Sequence, residues 1–121
     1  MELNELRIYS EANEVSDKIW ELVNTFNHFE KDTIGKQLVR AADSISANIA
    51  EGYGRYFFKE NRLFCFYSRG SLLESINWLQ KCKKRKLIHD GIANELIERL
   101  EGLHKSLNAY IKSIGKTTNN E

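Results

Sequence analysis

The sequence predicts an all-α protein: an antiparallel, up-down four-helix bundle that forms a single domain over residues 1–121. The chain contains no proline, although average usage of about 5% would give about six, and long helices with short connectors explain that absence. Apolar residues also recur at alternating steps of three and four residues in four separate stretches, which is the spacing of helices with one buried face. A chain of this length removes roughly two thirds of its unfolded surface from water, enough for one core.

The first helix is predicted over residues 6–26, with its acidic residues mostly on the side away from the core. The connector begins at Asn27, and Glu30 follows three residues later, which fits a capping box, so a turn or a short helix is expected to start there. The predicted buried face has six members: Ile8, Ala12, Val15, Ile19, Leu22 and Phe26.

The second helix is predicted over residues 33–51, and its later half is rich in small side chains. Small side chains allow the backbone of a neighbouring helix to come close. Gly52 follows the last predicted residue, where a left-handed glycine commonly ends a helix. The inward residues are expected to be Ile34, Leu38, Ala41 or Ala42, Ile45 and Ile49.

A signature in this second helix resembles a known family. It consists of Ala41-Ala42, Ser44-Ile45, the run from Asn48 to Gly52, and Gly54-Arg55, with a second block at Gly70-Ser71 and Glu74, and with Gln37 and Phe64. These residues resemble the four-helix bundle family of proteins encoded in intervening sequences of bacterial 23S rRNA genes (S23-type). Two positions depart from the family pattern: Asn27 stands where a proline is common, and Phe57 where Ser or Thr is common.

The resemblance implies an antiparallel up-down bundle that assembles as a ring-like homo-oligomer, a homopentamer, of undefined biological role. It also implies a bacterial protein. A related group of retroelement accessory proteins shares this fold and binds nucleic acid, but those proteins are much more basic than this chain, whose net charge is +1.

The third helix is predicted over residues 59–84 and is apolar on two sides. Only one side can face the core of a small bundle, so the other side needs a partner, and another copy of the chain is the simplest one. The alternative is a monomer with an apolar surface strip. One side carries Leu63, Phe66, Tyr67, Gly70, Leu73 and Trp78, and the other carries Cys65, Leu72, Ile76 and Leu79. The predicted oligomer contact is formed by Leu72, Ile76 and Leu79.

The fourth helix is predicted over residues 90–114, with Asp90 as its N-cap and Gly115 at its end. Residues 116–121 form a polar tail without periodicity that is expected to be frayed. The buried seam is predicted to contain Ala93, Leu96, Leu100, Leu103, Leu107, Tyr110 and Ile114.

The sequence does not predict an enzyme. A carboxylate-bridged di-iron bundle needs Glu-x-x-His on two helices, and only Glu101 with His104 fits that spacing. Neither cysteine has a histidine at helical spacing, and no glycine-rich phosphate loop is present. We therefore expect no catalytic residues, no metal, no cofactor and no small-molecule substrate.

Two polar residues, Asn48 and Glu74, lie on helix faces that are otherwise small or apolar. One interpretation is contact with a ligand or RNA. The favoured one is structural: a buried hydrogen-bonding pair that fixes helix register, because an unpaired buried polar group costs about 1–3 kcal/mol. Arg55 is expected to pair with Glu74 or with the last carbonyls of the second helix.

Charge is unevenly distributed along the chain. Residues 1–30 hold seven acidic and two basic side chains, whereas residues 61–90 hold seven basic and two acidic ones. Five cations lie at the end of the third helix: Lys81, Lys83, Lys84, Arg85 and Lys86. They could bind the phosphates of RNA or DNA, with Arg55 as a further contact. They could instead interact favourably with the dipole at the end of the helix, or complement the acidic first helix, in the same bundle or in a neighbour.

No stretch of about 18 apolar residues and no signal-peptide pattern is present, so we expect a cytoplasmic protein that does not enter a membrane. Cys65 and Cys82 are expected to be free thiols, with Cys65 in an apolar face. Two function classes remain: a non-enzymatic oligomeric scaffold or interaction module, and an RNA- or DNA-binding accessory protein that uses a basic rim at residues 81–86.

Overall fold

The computed structural model describes residues 2–116, and within them it contains four long helices and no strand, which confirms the all-α prediction. A short 3-10 turn, Leu3–Glu5, precedes the first helix. The second helix, α2, runs from residue 28 to residue 53 in three consecutive segments, the middle one being a π-helix. The helices are α1 (Arg7–Val23), α2 (His28–Glu30, Lys31–Gly35 and Lys36–Tyr53), α3 (Phe58–Lys84) and α4 (Asp90–Ser113).

Neighbouring helices run antiparallel, which is what their short connectors require. Between α2 and α3, Ile45 contacts Ser68 while Gly52, further along, lies against the earlier residue Asn61. Each helix packs on the next one, and α4 packs back on α1, with α2 and α3 forming the most extensively packed pair. The bundle therefore has the predicted up-down topology.

The core consists of one apolar seam from each helix, and the seams predicted for the first, second and fourth helices are confirmed. Leu22 and Tyr110 are only partly buried, whereas the other predicted members are buried. The largest core side chains with no exposed surface are Ile19, Leu38, Ile45, Ile49, Leu72, Leu79, Leu100 and Leu107.

The first connector confirms the capping box that its sequence predicts. The side chain of Asn27 accepts a hydrogen bond from the Glu30 backbone N–H at 2.9 Å, and the Glu30 carboxylate accepts one from the Asn27 backbone N–H at 3.0 Å. Because this cap starts a helix directly, α2 begins at His28, about five residues earlier than the periodicity indicates. The π-helical segment then joins the capped turn to the main part of α2.

Gly52 does not end α2 in a left-handed conformation, so that prediction is wrong. The helix continues to Tyr53, and Gly52 is buried against α3. A Cβ atom built on Gly52 would lie 2.7 Å from Asn61 Oδ1 and 2.9 Å from the Asn61 backbone oxygen. Glycine is needed here because another backbone comes close, which is the packing that the small residues of α2 predict.

The ends of α4 also differ in part from prediction. His89 occupies the N-cap position and Asp90 is the first helical residue. Gly115 has a φ of 83°, the left-handed conformation predicted for the helix end. Of the predicted tail, only Lys116 lies within the described residues.

Candidate functional site

The side of α3 that faces the core is made of small and medium-sized residues: Cys65, Ser68, Leu72, Ser75, Leu79 and Cys82. Leu72 and Leu79 have 0% of their surface exposed within the single chain, and Ile76 is partly buried against the same core. The prediction that Leu72, Ile76 and Leu79 form a subunit contact is therefore wrong. Leu72 and Leu79 are held within the chain's own bundle and are not available to a partner.

The opposite side of α3 carries the larger apolar side chains, and they face outward. Leu63, Phe66, Tyr67 and Leu73 are 42% to 50% exposed. Together with Gly70 they form a surface that we call the α3 outer face. Trp78, which the helical pattern assigns to the same side, is partly buried.

The aromatic connector before α3 adds to this surface. Tyr56, Phe57 and Phe58 are all exposed, and Tyr56 and Phe57 contact each other edge to face with ring centroids 4.9 Å apart. A recess of about 440 Å³ next to this connector is lined by Lys59, Glu60, Arg62, Leu63 and Phe66. Exposed aromatic side chains thus precede α3 in the chain, and charged residues of its first turns line the recess together with Leu63 and Phe66.

Gly70 lies in the middle of the α3 outer face and leaves a gap in it. A Cβ atom built on Gly70 would meet nothing within 4 Å, so packing within the chain does not require glycine there. Glycine inside a helix costs about 0.5–1 kcal/mol relative to alanine. Gly102 of α4 is equally open, and it provides a matched position on another surface.

Asn48 and Glu74 do not form the predicted buried pair. Asn48 is half-buried, and its side-chain N–H donates to the Ser44 backbone oxygen of its own helix at 2.9 Å. Glu74 is exposed and accepts a hydrogen bond from the Trp78 indole N–H at 3.0 Å. Both polar groups are satisfied within their own helices, so they do not fix the register between helices.

Arg55 pairs with neither of its predicted partners. Its guanidinium lies 2.8 Å from a Glu51 carboxylate oxygen and 3.9 Å from one of Glu60, and it stacks 4.7 Å above the Phe64 ring centroid. Arg55 sits just before α3, whereas the cations of residues 81–86 sit at its far end, roughly 40 Å away along a 27-residue helix. Arg55 therefore cannot share one phosphate-binding surface with them.

The five cations predicted at the end of α3, which we call the basic cluster, lie around its last turn and cap. Lys83 Nζ donates to Asn94 Oδ1 at 2.8 Å. In residues 2–116 none of the five forms an ion pair within 4.0 Å. The acidic α1 is instead paired with Arg99 of α4, whose guanidinium lies 3.0 Å from Glu14 and 3.8 Å from Glu11.

The last turn of α3 fixes the position of this cluster. The Leu87 N–H donates to the Cys82 carbonyl at 2.9 Å and the Lys86 N–H to the Lys83 carbonyl at 3.1 Å, the pattern of a Schellman motif. Lys86 occupies the left-handed position with a φ of 63°, where glycine is usual. The cations are therefore attached to a hydrogen-bonded turn.

The two cysteines are free, as predicted, and both are buried, Cys65 in the apolar side of α3 where it was expected. Burial raises the pKa of each thiol to about 11, so neither is a reactive thiolate near neutral pH. Within the described range, no cluster of three or more His, Cys, Asp or Glu side chains could hold a metal ion. Glu101, which forms the Glu-x-x-His spacing with His104, is exposed on α4. None of the helices among residues 2–116 has the length and apolar character needed to cross a membrane.

The sequence interpretation missed which side of α3 faces out, although a signal was present. Ser68, Ser75 and Cys82 continue the three- and four-residue steps of Cys65, Leu72 and Leu79 along one side. Small residues at helical spacing match a neighbouring helix that is itself rich in alanine and serine. Counting polar small residues as core candidates would have identified the correct buried side.

Comparison with known proteins adds a family and a fold. The model of the family described as 23S rRNA-intervening sequence protein matches residues 4–109. No curated protein matches the chain. The chain is also similar to the crystal structure of a protein of unknown function from the S23 ribosomal protein family of Bacteroides thetaiotaomicron. The TM-score is 0.78 at 19% identity, over 87% of this chain and 98% of that one.

Proposed function

We propose, from the premise that the chain belongs to the family of 23S rRNA-intervening sequence proteins, that it is a non-enzymatic protein that assembles with copies of itself. In this proposal the assembly is a ring that serves as a scaffold or interaction module. The number five comes from the family resemblance. The contact is the α3 outer face rather than the side that the sequence indicates.

The observation that carries this proposal is the exposure of the α3 outer face. Monomeric proteins expose single apolar residues freely, but contiguous apolar patches usually mark interaction sites. Here Leu63, Phe66, Tyr67 and Leu73 are exposed on one side of the same helix. Burying it against a partner removes apolar area from water, at about 25 cal/mol for each Å².

Charge supports another copy of the chain as the partner. Arg62 and Arg69, beside the outer face, bond neutral oxygens, those of Ile114 and Asn108, rather than carboxylates. These two cations therefore lie beside the outer face without a carboxylate partner within residues 2–116, and residues 1–30 carry seven acidic side chains against two basic ones. A second copy brings an acidic surface to this basic one, which favours association between identical chains.

A charge placed on the outer face tests the proposal. Leu73→Glu should leave the helical circular dichroism intact and reduce the mass measured by light scattering after size exclusion. Ile92→Glu is the matched control, because Ile92 is a similarly exposed aliphatic residue on α4, away from the outer face. A wild-type mass near 14.1 kDa at every micromolar concentration would overturn the proposal.

Gly70 provides a second test that separates fold from assembly. Gly70→Leu fills the open gap of the outer face, so it should keep the monomer folded but weaken self-association. Gly102→Leu, at the equally open glycine of α4, should leave the assembly unchanged. Equal effects of the two variants would argue against a contact centred on the outer face.

Nucleic-acid binding is a second candidate function, favoured by the absence of ion pairs at the basic cluster in residues 2–116. Five cations without an ion pair, around the last turn and cap of α3, can contact phosphates, and a ring would repeat them around one rim. Changing Lys83, Lys84, Arg85 and Lys86 to Glu should abolish RNA binding in a filter assay at about 50 mM salt, with the oligomer intact. No binding by the wild-type protein under that condition would exclude this candidate.

We also propose a cytoplasmic location. Two unpaired thiols suit a reducing compartment, where disulfides are rare. Fractionation of cells that produce the protein tests this location, and recovery outside the cytoplasm would contradict it.

A further inference from the structure

A groove lies between the beginning of α2 and the end of α3. Its cavity of about 610 Å³ is lined by two aromatic rings, Phe29 and Trp78, and by two cations, Lys36 and Arg85. Gln37 and the carboxylate of Asp32, which lies 4.0 Å from Lys36 Nζ in an exposed ion pair, complete the polar part of the lining. We call it the α2–α3 groove. Because Arg85 belongs to the basic cluster, the groove and the cluster form one continuous surface at this end of the bundle.

Phe29 presents its ring to solvent in this groove. It is 73% exposed, and packing within the chain does not account for so large an apolar side chain there. Trp78 is held more firmly, because its indole N–H donates to Glu74 at 3.0 Å and its ring packs against the core. The groove thus combines one fixed ring and one accessible ring with cations beside them.

The backbone that forms one wall of the groove is unusual. The segment Lys31–Gly35, which contributes Asp32 to the lining, is a π-helix. The Lys36 N–H donates to the carbonyl of Lys31, five residues earlier, instead of four residues earlier as in an α-helix. π-Helical turns are rare and are frequent at functional sites, because they change the direction of side chains within a helix. Lys36, the cation on this wall, is the first residue after the π-helical segment.

We propose that the α2–α3 groove binds single-stranded nucleic acid, with a base stacked on Phe29 or Trp78 and the flanking phosphates at Lys36, Arg85 and the basic cluster. This inference rests on the nucleic-acid candidate above and is independent of self-association. Aromatic rings beside a cationic track are how proteins bind single strands without reading sequence. Asp32 and Gln37 add hydrogen-bonding groups for base edges.

Tryptophan fluorescence tests the groove directly. The chain has two tryptophans, so Trp20→Phe leaves Trp78 as the only one. Titration of this variant with an oligoadenylate of about ten nucleotides, at about 50 mM salt, should quench Trp78, and the affinity should fall steeply as salt is raised. Addition of Phe29→Ala should weaken binding by roughly tenfold to a hundredfold, and Phe29→Tyr should restore it.

Two controls make the result specific. Trp20→Ala in place of Trp20→Phe removes an exposed ring of α1 that does not line the groove, and it should not change affinity. Circular dichroism of the Phe29→Ala variant should show unchanged melting, since Phe29 is exposed. If Phe29→Ala leaves the affinity unchanged and charge reversal of the basic cluster to Glu abolishes binding, the proposed groove site is wrong. Binding would then be electrostatic and confined to the basic cluster. If the Trp20→Phe variant shows neither quenching nor binding, both the groove site and the nucleic-acid candidate are wrong. Self-association is measured separately, by light scattering.

Discussion

The two sides of α3 differ in the size of their side chains, and the side with the smaller residues is the buried one. The inner side contains Cys65, Ser68, Leu72, Ser75, Leu79 and Cys82, whereas Leu63, Phe66, Tyr67 and Leu73 face outward. The inner side is small because α2 lies close: the Ser68 hydroxyl donates to the Ile45 backbone oxygen at 2.7 Å. The distance between helix axes therefore decides which side of α3 is buried, and the bulkier apolar side is excluded from the core.

The largest expected effect separates two adjacent leucines on these two sides. Leu72→Asp places an unpaired charge in the core and should unfold the domain, at a cost of about 4 kcal/mol or more. Leu73→Asp places the same charge on the outer face and should keep a cooperative thermal transition. Circular dichroism melting measures both, and equal loss of structure in the two variants would contradict the assignment of sides.

The inner side should also make the protein sensitive to alkaline pH. Burial raises the pKa of Cys65 and Cys82 to about 11 from an ordinary value of 9.0. The unfolded chain releases these protons first, so the folded state binds more protons between the two values. The stability that the neutral thiols contribute is therefore complete below pH 9 and is lost as pH rises to about 11, on the order of 2 kcal/mol for each thiol.

Urea unfolding between about pH 8 and pH 11 measures this loss. A variant with Cys65→Ala and Cys82→Ala should be less stable at pH 8 but should show a shallower decline with pH, because other groups still titrate. The same slope in wild type and variant would show that the thiols do not carry the effect.

Two glycines at the end of α2 distinguish close packing from turn formation. Gly52→Ala should destabilise the fold by about 1–3 kcal/mol, because the new Cβ would lie 2.9 Å from the Asn61 backbone oxygen. Gly54→Ala is the control, since the contacts of its Cβ begin at 3.7 Å and its φ is −81°. The urea midpoints of the two variants measure this difference. If Gly52→Ala does not lower stability, α2 and α3 can move apart at little cost.

The smallest expected effect concerns the two buried serines of the inner side. Ser68→Ala removes the hydrogen bond to Ile45 of α2 and should cost about 1 kcal/mol. Ser75 bonds the Ser71 carbonyl of its own helix at 2.9 Å, so Ser75→Ala should cost less. Chemical denaturation resolves this difference, and a larger loss in Ser75→Ala would indicate that local bonds matter more than those between helices.

The sequence predicts those parts of the fold that depend on local chemistry. The capping box of Asn27 and Glu30, the seams of α1, α2 and α4, and the left-handed Gly115 follow from residue type and spacing. The family resemblance also comes from sequence, and the family match over residues 4–109 confirms it. These features need no knowledge of how far apart the helices lie.

The features that sequence missed depend on distances between helices. Helical spacing places Leu72 and Leu73 on different sides of α3 but does not say which side lies against α2. Gly52 and Gly54, two residues apart, predict a helix stop, because the sequence does not show that Asn61 of α3 lies against Gly52. The α2–α3 groove was also missed, because Phe29 and Trp78 are far apart in the chain and meet one cavity only in the folded bundle.

The close packing of α2 and α3 also has a consequence for folding kinetics. These helices are joined by residues 54–57 alone, so their contacts close a short loop, and local contacts form early because they lose little chain entropy. We expect the α2–α3 hairpin to be formed in the folding transition state and α1 to dock afterwards. In stopped-flow measurements Ser68→Ala should then slow folding, whereas Ile8→Val in α1 should mainly accelerate unfolding; the reverse result would place α1 in the nucleus.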